Sequence, residues 1–244
     1  MRAYLGQTRA ELTLSLRQGE QLLVSVAIPW LLLVFFSLVD VLPKPAALHE
    51  YSTIDVLAPG ILALAVMSTA MVSLGIGTGF ERHYKVLKRL GVTPLGRGRL
   101  VGAKITMVLA IQAVQVALIV VAAVALGWRA GGPIAFIIPG IVLGTAAFAG
   151  IGLLLAGTLS GPLNLAVCNG LYLVLLLLGG MIIPLEKLPA GIRAVAELLP
   201  AGALAEIMTA SVTAGAASSA RAWLVLVVWA VAAPLAAIRW FHWE

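Results

Sequence analysis

The chain has 244 residues, of which 61% are hydrophobic and only 11% charged, with a net charge of +6. Soluble domains carry about a quarter charged residues, so this composition excludes a single water-solvated core and makes lipid the solvent. The basic excess lies beside apolar runs, where anionic lipid and the positive-inside bias account for it without a nucleic-acid partner.

Taken from the start, residues Ala3 to Glu20 predict an N-terminal helix that does not span. Leu5, Leu12, Leu14 and Leu16 alternate with Arg9, Glu11, Arg17 and Glu20, a pattern that suits a helix lying in the membrane interface. No small-residue cleavage site follows, so the segment is not expected to be a cleaved signal peptide. A span needs about 20 mostly apolar residues, and six segments meet this: 21–39, 56–78, 100–127, 133–159, 163–183 and 222–238. The fourth and fifth come from one uncharged run of 56 residues, Ala130 to Leu185, divided by a turn at Ser160-Gly161-Pro162. The expected fold is therefore all-α: six transmembrane helices in one membrane domain over residues 1–244.

Seven of the sixteen Lys and Arg residues fall between Phe80 and Lys104, in the loop after the second span. Placing both termini on that side puts eleven basic residues inside and five outside, which predicts cytoplasmic termini. Within the loop, residues 81–90 predict a short helix with Val86, Leu87 and Leu90 on one side. Gly91 and Thr93-Pro94 stop it. Arg97, Arg99 and Lys104 then lead into the third span, with stems long enough to reach headgroups. On the other side, residues 184–219 predict two short helices, Ala190–Leu199 and Gly202–Ala210, broken by Pro189 and Pro200, that dip back toward the bilayer or cap the outer mouth.

Catalytic signals are missing. Gly91 to Gly96 is followed by Arg97-Gly98, not by the Lys-Ser/Thr that binds phosphate and magnesium. His49, His83 and His242 are scattered, and the lone Cys168 cannot form an intrachain disulfide. The spans are read as free of the buried acids and lysines that mark ion relays. Their polar residues are mild, among them Gln112, Gln115, Thr145, Asn164, Asn169 and Tyr172. Small residues at Gly140-Gly144 and Gly152-Ala156 predict close packing within one subunit.

The segment from Glu81 to Leu95 resembles the loop after the second span of type-2 ABC exporter permeases, the class of daunorubicin-type drug and polysaccharide exporters. Glu81, Arg82, Leu87, Arg89, Leu90, Thr93 and Pro94 carry the resemblance, while Lys85 and Lys88 stand where many members have glycine and an acid. The resemblance implies that the chain is not itself an ATPase. It implies a pair of permeases, this chain with a copy or a relative, in the cell membrane on two nucleotide-binding subunits that hold ATP and magnesium. It implies that a coupling helix with Glu81, Arg82, Val86, Leu87, Arg89 and Leu90 rests on the ATPase. The exported substrate would be an amphipathic drug, lipid or lipid-linked glycan. Asn169 and Tyr172, three apart on the fifth span, are candidates for the substrate path. The alternative on the residues alone is a non-ATP-driven carrier or a membrane scaffold.

Overall fold

The computed structural model describes residues 2–17, 19–39, 52–93, 95–129, 131–181, 188–212 and 218–242. Among them there is no strand; the chain is an all-α integral membrane protein. Helix α1 (Arg2–Arg17) turns into α2 (Gly19–Leu38). One continuous run, Thr53–His83, contains α3 (Thr53–Met67), a π-helical turn (Ser68–Ser73) and α4 (Leu74–His83). Then come the short α5 (Val86–Gly91), α6 (Arg97–Ala125), α7 (Ile137–Thr158) and α8 (Gly161–Leu178). The last three are α9 (Ala190–Ala196), α10 (Pro200–Val212) and α11 (Ala220–Trp240).

Among the described residues, five helices are long and apolar enough to cross a membrane, six if the bent α9–α10 pair is counted as one span. The turn at Ser160 is as its residues dictate: α7 stops at Thr158, and α8 restarts at Gly161 with Pro162 in its first turn, where a missing N–H costs nothing. The expected outer helices shift by a few residues, to Ala190–Ala196 and Pro200–Val212, and meet at 83°. Pro200 opens the second helix because its fixed φ suits a helix start. Glu197, between them, accepts from Arg193 Nε (2.9 Å) and Arg221 Nη1 (2.7 Å), tying α9 to α11. The hydrogen bond from Arg193, more than any other effect, holds its carboxyl below the usual range. The flanking residues 182–187 and 213–217, with Lys187, lie outside the described residues, as do 40–51, with Lys44 and His49.

Helix α7 is the centre of the bundle, and its glycines explain why. It packs along α11 and against α3, the π turn, α4 and α10. A side chain at Gly152 would meet the backbone of Met71 (2.6 Å), one at Gly144 would meet Leu204 (3.0 Å) and Val66 (3.3 Å), and one at Gly140 would meet Met208. The small-residue spacing therefore joins helices of the same subunit. At Gly150 even a methyl group would run into the backbone of Ala233 and Pro234 in α11. Backbone there cannot yield as a flexible side chain would, so Gly150→Ala should cost about 1–3 kcal/mol by overpacking. Gly170→Ala, where nothing lies within 4 Å, is the matched control. Equal melting temperatures for the two variants in the same detergent would refute this account of α7.

Buried polar contacts join the second span to α6. Thr69 of the π turn donates to Gln115 Oε1 (3.0 Å), and Gln112 Nε2 donates to the Val66 carbonyl (3.1 Å). Thr145 of α7 donates to Gln112 Oε1. These side chains satisfy one another away from water, as buried polar groups must.

Candidate functional site

The basic residues after the second span surround a built structure at one end of the bundle. Residues 81–90 do not form one helix as the sequence suggests. Glu81 and Arg82 complete α4, the chain breaks at Tyr84 and Lys85, and α5 begins only at Val86. Lys85 has φ +61°, a left-handed conformation unusual for a residue with a side chain. That single residue redirects the chain. Glu81 consequently sits at a helix C-terminus, where the dipole disfavours a carboxylate, so its stabilisation comes from elsewhere.

It comes from Lys104. The Lys104 ammonium, on a side chain only 1% exposed, lies 2.8 Å from Glu81 Oε2 and 2.9 Å from Glu11 Oε2. Glu11 also accepts from Gln7 Nε2 at 2.8 Å. The expectation that Lys104 reaches for headgroups, and that the spans hold no buried lysine or acid, is thereby corrected. Lys104 points inward because α1 lies across α6 and brings Glu11 to it. Tyr4 of α1 hydrogen-bonds the Gly102 carbonyl and the Thr106 hydroxyl, and Ser15 approaches Met107 Sδ at 3.4 Å, so polar residues of α1 face α6 along several turns. Leu5, Leu14 and Leu16 are left exposed.

Arg82 turns the other way. Its Nη1 donates to the carbonyls of Leu159 (2.9 Å) and Ala156 (3.3 Å), gripping the end of α7 beside the α7–α8 turn. Next to it, Asn164 Nδ2 donates to the Gly75 carbonyl at 2.8 Å. The end of α4 thus touches α6 through Glu81, with Lys104 carrying the connection on to Glu11 of α1, and α7 through Arg82.

Helix α5 is pinned on one side and open on the other. Leu87 is fully buried against Leu95, Leu100 and Phe241, with Leu90 packed beside them. Val86 is exposed rather than sharing that side, as are Tyr84, Lys85, Lys88, Arg89 and Val92. Thr93 closes the helix by donating to the Leu90 carbonyl at 2.6 Å; Pro94 lies outside the described residues.

A cavity of about 540 Å³ opens between α1, α4, α5 and α6. Leu14, Leu74, Phe80, Met107 and Ile111 are among its walls, with Glu11, Glu81, Lys104 and Thr78 on its polar side. No three metal-ligating groups converge among the described residues.

The family model described as ABC-2 type transporter matches residues 5–213, covering α1 through α10. The chain belongs to the ABC-2 type transporter family. A search of curated proteins returned no match. This ABC-2 chain is the membrane component of a transporter, and its family's membrane domains are not ATPases themselves. The other candidates sit apart from the basic end. On the ABC-2 chain's α8, Asn169 is exposed and turns its Nδ2 back onto the Leu165 carbonyl (2.9 Å), while Tyr172 is half-buried against the core. Sequence reasoning missed Glu11, Thr78 and Lys104 as a group. The available signal was a lysine with apolar residues on both sides, Leu100-Val101-Gly102-Ala103 before it and Ile105 after.

Proposed function

We propose that this permease is the membrane subunit of an ATP-driven exporter, working with separate nucleotide-binding subunits and paired with a second permease. The observation that carries this is α5: a short helix, fixed from behind by Leu87, that presents Tyr84, Val86, Arg89 and Val92 to its surroundings. An exposed mixture of aromatic, apolar and basic side chains on a rigid mount is what a protein interface uses. In this reading α5 rests on the ATPase, and Glu81 and Arg82 pass its displacement to α1, α6 and α7. The spans are α2, α3–α4, α6, α7, α8 and α11, with α9–α10 re-entrant on the far side. The basic end and both termini face the cytoplasm, and the membrane is the cell membrane.

The substrate path lies between two permeases along α8. An exposed Asn169 in the middle of an apolar helix is costly against lipid and well placed against a partner or a passing polar group. Tyr172, one turn further, lines the same route. The cargo is an amphipathic drug, lipid or lipid-linked glycan, because the spans offer apolar surface with few polar anchors.

Expression with a cognate ATPase subunit tests the reading. The two proteins should co-purify in a fixed ratio. ATP turnover should require both, the permease alone in nanodiscs giving none above an empty-disc background. Asn169→Cys should crosslink between permeases. A solitary chain that carries substrate without nucleotide would replace this reading with that of a non-ATP-driven carrier.

A further inference from the structure

The cavity at the basic end carries chemistry that the coupling role leaves unused. Among the described residues its lining contains three charged groups, Glu11, Glu81 and Lys104. Two carboxylates face one ammonium, so the cluster holds one negative charge more than it neutralises. The Arg82 guanidinium donates to the α7 carbonyls and lines no part of this cavity among the described residues. Glu11 is buried and doubly hydrogen-bonded, by Gln7 and Lys104. Glu81 differs: its side chain is 30% exposed, and among the described residues its carboxylate accepts from Lys104 alone.

A second group points to a ligand independently. Thr78 is 1% exposed, its hydroxyl has no hydrogen-bond partner among the described residues, and it lines the same cavity. A buried hydroxyl is seldom left unmatched, because desolvation without a partner is unfavourable. Thr78 and Glu81 lie three residues apart on α4 and so share a helix face. Around them the walls are mostly aliphatic, and the volume falls within the range of small-molecule sites.

We infer that this cavity binds a monocationic amphiphile, its amine or ammonium head at Glu81 and Thr78 and its apolar body along the walls toward Met107 and Ile111. A cation is selected because it balances the excess charge. A neutral molecule gains only the apolar contact, and an anion meets repulsion. Leu14 of α1 is both exposed and part of the cavity wall, and on an interfacial α1 it would admit the ligand from the adjoining leaflet. The inference goes beyond the proposed function and does not require ATP coupling, and its test uses the full permease alone.

Equilibrium dialysis of radiolabelled decylamine against the permease in nanodiscs, corrected with empty discs, measures the site. Decanol serves as the uncharged probe of the same length. Decylamine should bind saturably with one site per chain, at least about ten-fold tighter than decanol, the scale of one charge-assisted hydrogen bond. Glu81→Gln leaves Lys104 paired with Glu11 and makes the cluster neutral, so it should abolish the preference for the amine while decanol binding is unchanged. Thr78→Val removes a hydroxyl that bonds nothing in the fold, and should weaken decylamine several-fold without lowering the melting temperature. Equal binding of the two probes to the unaltered chain would overturn the inference. So would an amine preference that survives both substitutions. Either failure leaves the co-purification result, and with it the exporter reading, untouched.

Discussion

Lys104→Met is expected to destabilise the permease by about 3–5 kcal/mol, the usual cost of removing one partner from a buried ionic group. The loss arises from what is left behind more than from the contacts deleted. Glu11, 4% exposed, would keep only its hydrogen bond from Gln7 and would face Glu81 without an intervening ammonium. Methionine fills nearly the same volume, so a cavity is not the cause. Charge balance can then be restored: Lys104→Met with Glu11→Gln and Glu81→Gln should recover most of the stability, because an apolar or neutral replacement of a whole buried ionic group is often near neutral. Thermal unfolding in one detergent, read alongside folded yield, decides it. A single mutant within about 1 kcal/mol of the unaltered chain would mean that the cluster is hydrated and loosely held.

The second large effect is functional. Arg89→Glu combined with Val92→Asp should abolish ATP-coupled transport and leave the permease itself intact. Both residues are exposed, Val92 to 87%, and surface substitutions of this kind change stability by about 0.5 kcal/mol or less. At the centre of a docked interface the same changes cost about 2–4 kcal/mol, a loss of roughly 30- to 1,000-fold in ATPase affinity. Co-purification and transport should fall together while the melting temperature of the isolated permease holds. Wild-type transport by the double variant would show that α5 is not the docking element. Glu81→Lys is a poor probe of docking for the reason that makes Lys104 interesting: it sets a second ammonium against a buried one, and folding would fail first.

Much of the fold was readable because membrane spans announce themselves by length and apolarity. The break at Ser160-Gly161-Pro162 and the bend near Pro200 were marked by residues with restricted or permissive backbones. The site was less readable, for three physical reasons. Lys104 and Glu11 are 93 positions apart, and a lysine near a helix start looks the same whether it snorkels or turns inward. Lys85 adopts its left-handed turn without glycine or asparagine to signal it. Val86 and Leu87 are adjacent apolar residues, and only the position of Phe241, brought back by the last helix, decides which is covered.

The π turn at Ser68–Ser73 has a geometrical consequence for everything beyond it. A π turn amounts to one residue more than an α-helix needs to cover the same ground, and one residue is worth about 100° of rotation. Thr78 and Glu81 therefore owe their compass bearing to a surplus residue upstream, within Ser68–Ser73. Excising one residue from 68–73 would shorten the span by that one residue, barely alter its composition and leave every downstream neighbour in the chain the same. It would nevertheless swing Glu81 away from Lys104 and Arg82 away from α7, unwiring both connections at a distance. The angular phase of the second span is thus a hidden variable of this transporter, set by counting residues and invisible to any tally of their types.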